Sequence, residues 1–71
     1  MTTSSYLRAL ACEYEHCRLY DIHDQAARAW RDMALEALRL MGLDPTTANQ
    51  LVVARQLPVA VLNQLPPLPR R

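Results

Sequence analysis

Lysine and phenylalanine are absent from this chain, and glycine occurs once, at Gly42. A single glycine excludes the phosphate-cradling loops that need several residues without a Cβ. With no lysine, all eight basic residues are arginines, whose planar fork stacks and tolerates interfaces better than an ammonium does. Seven acidic residues leave a formal net charge of +1, which is too little for a strongly electrostatic nucleic-acid binder. No apolar run approaches the roughly 20 residues that span a bilayer. The longest, 51–54 and 57–62, are broken by Arg55 and Pro58. The segment Met1–Ser5 is polar and no apolar signal region follows, so a soluble cytoplasmic protein without membrane contact is expected. The two cysteines, Cys12 and Cys17, would sit about 8–9 Å apart (Cα to Cα) on one helix. A disulfide needs less than about 7 Å, so reduced thiols are expected.

What remains is helix. The chain has 71 residues, 51% of them hydrophobic, enough for one small core. Cores of this size rarely supply more than about 3–5 kcal/mol, so a partner or self-association is expected to help. From Tyr6 to Met41 there is neither Gly nor Pro. Leu7, Leu10, Tyr14 and Cys17 recur at helical spacing, which predicts a first helix over about 6–19. The stripe then loses phase at Asp21, His23 and Asp24, which predicts a bend at about 20–22, with a stuttered continuous helix as the alternative. Asp21 and Asp24 have the spacing of a weak capping box.

A second helix is predicted from Asp21 or Ile22 to Met41. Two apolar rows, Ile22, Ala26, Ala29, Met33, Ala37, Leu40 and Ala27, Trp30, Ala34, Leu38, Met41, cover more than half of it. Trp30 is expected to be buried near Leu10, Tyr14 and Met33. Gln25, Arg28, Asp32, Glu36 and Arg39 form the polar face, with Arg28–Asp32 and Glu36–Arg39 spaced to pair. Gly42 is placed to end this helix, with Leu43 closing a Schellman contact. Asp44-Pro45 restarts the chain as N-cap and first helical residue. The third helix is predicted over Pro45 to about Gln56, and Pro58 ends it or opens a short turn through Leu65. The predicted fold is all-α: one helical domain over residues 1–65, a hairpin with a third helix across its end. A flexible Pro/Arg tail over 66–71 is not expected to pack.

Cys12, His16, Cys17 and His23 are metal-ligating residue types, but Cys17 points about 100° away from His16 on a helix and no zinc spacing is present. The adjacent His16 and Cys17 cannot form a nucleophile–base pair, so no metal, cofactor or enzymatic activity is expected. The segment 42–58 has the outline of the second half of a helix-turn-helix. Thr46, Thr47, Asn49, Gln50 and Arg55 would face DNA there. Against it stand Leu38, where a small residue is usual, and the lack of a basic residue before Arg55. The segment 66–71 also matches the PxxP-plus-Arg pattern that SH3 grooves bind.

Glu15 followed five residues later by Tyr20, then Ala26-Ala27, Trp30, Ala34, Ala37, Asn49 and Arg55, resembles the ANR-type small proteins that restrain AraC-type transcription activators in bacteria. The resemblance covers Tyr6 to Arg55. Arg18 stands where that family has Gly, the gap from Tyr20 to Ala26 is about three residues longer, and Val52 replaces an aromatic. The resemblance implies a protein whose helices bind other regulators.

The expected function is regulation by protein–protein contact, as a transcription regulator or a phage or mobile-element inhibitor of a host protein. The expected partner surface comprises Leu35, Leu38, Met41, Arg28, Arg31 and Arg39. Because helix one cannot cover both apolar rows of helix two, a homodimer is also expected. The alternative is a repressor reading DNA with residues 45–56.

Overall fold

Each helix is delimited by a residue that the local sequence makes hard to extend through. The computed structural model describes residues 5–67, and four helices follow in chain order: α1 (Ser5–Leu19), α2 (His23–Leu40), α3 (Pro45–Ala54) and α4 (Val59–Leu62). The first three end in the same way. After α1, Asp21 N–H bonds the Arg18 carbonyl at 3.3 Å and Ile22 N–H the Cys17 carbonyl at 2.8 Å. After α2, Gly42 bonds Arg39 at 2.9 Å and Leu43 bonds Leu38 at 3.2 Å. After α3, Arg55 bonds Val52 at 3.1 Å and Gln56 bonds Leu51 at 2.9 Å. All three are Schellman closures, which place one residue in the left-handed region. Those residues are Asp21 (φ 57°), Gly42 (φ 98°) and Arg55 (φ 57°).

Only the second closure carries the residue suited to it. A Cβ at Gly42 would meet nothing within 4 Å, so glycine is there for its backbone freedom and not for space. Asp21 tolerates the conformation through its short polar side chain, whereas Arg55 has no such relief. Arg55→Gly is expected to stabilise the fold by about 1 kcal/mol and raise Tm by about 4–8 °C. Thermal melts of the two proteins followed by circular dichroism check this, and an unchanged or lower Tm would refute it.

These closures correct several boundaries. Asp21 lies in the turn and Ile22 is the N-cap of α2 with no side-chain cap bond, so the expected Asp21–Asp24 capping box does not form. The bend itself lies at the expected place, and the continuous helix is excluded. Met41 is the C-cap of α2 and not its last residue. The third helix stops at Ala54, two residues before Gln56, because Arg55 turns left-handed. Asp44 caps α3 as read from the sequence, accepting from Thr47 N–H at 3.1 Å, with Pro45 in the first turn. Pro58 opens the short α4.

α2 is the hub: α1, α3 and α4 each pack on it. Leu10, Tyr14 and Cys17 of α1 meet Ala26, Ala29, Trp30, Met33, Ala34, Ala37 and Leu38 of α2 in one core. Ala48, Val52, Leu57 and Val61 complete it from the C-terminal half. Trp30 is buried, as expected. Ile22, Leu40 and Met41, placed by the sequence in the apolar rows, are exposed at the two ends of α2, and Ala27 of the second row is exposed as well.

The Pro-rich segment departs from expectation. Its first two residues are tied to the hairpin: Trp30 Nε1–H donates to the Pro66 carbonyl at 2.7 Å, and the Tyr14 hydroxyl donates to the Pro67 carbonyl. The reason is the amphipathic character of both aromatics. Each buries its ring and must still find an acceptor for one polar hydrogen. The rest of the expected tail, 68–71, and the polar start, 1–4, lie outside the described residues.

Candidate protein-binding surface

The outward face of α2 is set by helical spacing. Arg28, Arg31, Asp32, Leu35 and Arg39 recur three and four residues apart and share one side, opposite the Ala-rich core face. Arg28, Arg31 and Arg39, read from the sequence as partner-facing, are exposed. Leu35 is half-buried, packed against the edge of the core. It lies at the floor of a groove of about 200 Å³ walled by Tyr6 from α1, Asp32, Glu36 and Arg39 from α2, and Leu43, Pro45, Ala48 and Asn49 from the start of α3.

One polar pair stiffens this groove. Glu36 is only 8% exposed, and its carboxylate takes both arms of the Arg39 guanidinium, Nε–H at 2.7 Å and Nη2–H at 2.8 Å. The fork-to-fork geometry is the strong form of this contact. The Glu36 hydrogen bond, and then its charge, hold the Arg39 pKa above the ordinary guanidinium value. The expected Glu36–Arg39 pair is therefore present. The expected Arg28–Asp32 pair is not formed, and Arg18–Glu15 at 3.1 Å is a second pair, between two exposed side chains.

Leu38 does not belong to any surface. It is 0% exposed, at the centre of the core, because α3 and α4 cover the side of α2 that α1 leaves open. Helix one was expected to leave part of the two apolar rows of α2 for a second copy, and Leu38, one of the residues expected in that contact, is covered by this chain instead. Met41 stays half-exposed, next to Leu40 at the α2–α3 turn. At the other end of the hairpin Leu19 (73% exposed) and Tyr20 stand out from the α1–α2 turn, with His16 and Tyr20 rings 4.8 Å apart. Leu19 was not singled out in the sequence and Tyr20 entered only through the family resemblance; Tyr6 marked only the start of the first helix, and Asn49 was assigned to the DNA-reading alternative and the resemblance rather than to this groove. Apolar residues that run into a predicted turn are the signal that marks the first two.

On α3, Thr46, Thr47, Asn49 and Gln50 are exposed while Ala48 and Val52 point inward. Two features limit the face as a DNA reader. The Thr47 hydroxyl donates to Asp44 Oδ1 at 2.6 Å, so it is already engaged. The Asp44 carboxylate also places a negative charge where phosphate would approach. Arg55 forms the left-handed cap and lies beyond the helix. The Thr47 side-chain bond, then its backbone N–H, hold Asp44 below the ordinary carboxylate pKa. A depressed folded-state pKa favours folding above the unfolded value and loses that support as pH falls through the folded one. Helix α3 is therefore expected to lose protection as pH drops below about 4. Asp44→Asn, measured by amide exchange, should flatten this dependence.

Cys12 is exposed and Cys17 buried, both as free thiols, and Cys17 Sγ lies 3.7 Å from Gln25 Oε1. Among the described residues no group of three or more His, Cys, Asp or Glu could hold a metal ion. No described helix is long and apolar enough to cross a membrane. No protein-family model matches the chain, and comparison with curated proteins and with solved structures gave no match, so its function has to be argued from these surfaces.

Proposed function

We propose that this chain is a small non-enzymatic cytoplasmic regulator that works by binding another protein, as a transcription regulator or as a phage or mobile-element inhibitor of a host protein. The observation that carries the reading is the outward face of α2. A half-buried Leu35 floors an open groove, and Arg28, Arg31 and Arg39 lie along the same face. An apolar anchor position with a charged rim is the anatomy of a protein interface. The ANR-type resemblance points the same way, although Ala26, Trp30, Ala34 and Ala37, which carry much of it, are core residues here. A second copy would use the apolar groups left outside, Leu40 and Met41 or Leu19 and Tyr20.

The test is affinity capture from the native host, run in parallel with Leu35→Glu and Arg31→Glu. The expected result is a specific partner, such as a polymerase subunit, an activator or a defence complex. Its affinity should fall about thirtyfold in the variants, matching the roughly 2 kcal/mol of an interface anchor. Equal recovery by all three proteins would refute the surface.

A helix-turn-helix reading is favoured by one observation: Gly42 in the left-handed turn, followed by a capped α3 with Asn49 and Gln50 outward. A sequence-selective mobility shift at low salt, abolished by Asn49→Ala with Gln50→Ala, would replace the protein-binding reading with it.

A further inference from the structure

Trp30 and Tyr14 share a task that the α2 groove does not use. Trp30 is 8% and Tyr14 2% exposed, yet both donate to consecutive carbonyls of one dipeptide, Pro66-Pro67. An indole nitrogen is a donor only. A proline backbone has no N–H and offers acceptors only. Two aromatic donors that meet consecutive carbonyls therefore suit a proline segment, which has no N–H groups of its own to satisfy. While the dipeptide covers them, both donors are satisfied by its carbonyls rather than by water, and any segment that replaces it has to supply acceptors at the same two places.

We propose that Trp30 and Tyr14 form a reading site for proline-rich segments, closed in the free protein by Pro66-Pro67, and that a proline-rich segment of a partner protein binds there by displacing them. Aromatic-lined grooves that read proline backbones are a general recognition mode. The space beside the strap says why a partner can win. Leu7, Ala11, Met33, Ala37 and Leu65 border a cavity of about 330 Å³ between α1, α2 and the segment after α4. The chain's own segment leaves this volume unfilled. Leu65, directly ahead of the strap's prolines, only borders this space, and a partner with a larger apolar side chain at that position would fill more of it. The site is distinct from the Leu35 groove, so it stands or falls separately from the function proposed above.

The test uses the full 15N-labelled chain, wild type and Pro66→Gly/Pro67→Gly, titrated with decaproline and with a Gly-Ser decapeptide. The Trp30 indole N–H resonance reports occupancy. The tether gives the native strap an effective concentration in the millimolar range, so loosening it should tighten decaproline binding about tenfold or more. Adding Tyr14→Phe should weaken it again by about tenfold. The Gly-Ser peptide should leave the resonance still. Equal response to both peptides, or no effect of Tyr14→Phe, would overturn the proposal. So would a wild-type dimer dispersed by decaproline, which would make a second copy the occupant. Should the glycine variant lose its helical circular dichroism, the wild-type titration decides. A resonance unmoved at low-millimolar decaproline overturns the proposal, and a saturable shift upholds it.

Discussion

Trp30→Ala is expected to unfold the protein. Trp30 fills the space between the hairpin and the strap, and its removal empties the largest single volume in the core. Truncating a packed Trp costs about 3–5 kcal/mol. A domain of this size holds about the same amount in total, so the variant has little or no folded population at 25 °C. Circular dichroism should show most of the helical signal lost. Trp30→Phe is the milder change, because it keeps a six-membered ring while losing the donor to Pro66 together with the rest of the indole. It should stay folded with a smaller loss than Trp30→Ala. A cooperative melt of Trp30→Ala within a few degrees of wild type would place Trp30 at a surface and contradict the structure.

Leu38→Ala comes next in size and carries a second decision. Leu38 is fully enclosed by α2's neighbours, so the substitution leaves a cavity and should cost about 2–5 kcal/mol. Leu35→Ala, half-exposed at the groove, should cost less than half as much. The order follows from burial alone, and chemical denaturation of the two variants measures it. If Leu35→Ala proves the more damaging, the groove is part of the core and the proposed interface loses its anchor.

The contrast between these leucines shows what the sequence makes legible. Helical periodicity identified both apolar rows of α2 and placed Trp30 inside, because spacing of 3.6 residues is written directly in the chain. Gly42, Asp44 and Pro45 marked the second turn because each residue type has one strong local preference. The first and third closures were less legible. Asp21 and Arg55 adopt a glycine-like conformation imposed by packing on both sides, which no local preference announces. Which side of α2 would be covered depends on where α3 and α4 return, a tertiary fact that put the enclosed Leu38 beside Leu35 on the expected partner surface. The strap was missed for a related reason. Proline composition reads as an unpacked tail, and the donors that hold it lie 36 and 53 residues away.

Those separations have a kinetic side. α1 and α2 are joined by residues 20–22 alone, and α3 and α4 dock on α2 from short connections. Such near-neighbour pairings close quickly and with little loss of chain entropy. The strap instead closes loops of 36 and 53 residues, so it is expected to form after the hairpin and outside the rate-limiting barrier. Whatever stability it adds therefore acts on the rate of escape from the native state and leaves the rate of arrival unchanged. The two prolines work as a latch on a body that has already assembled.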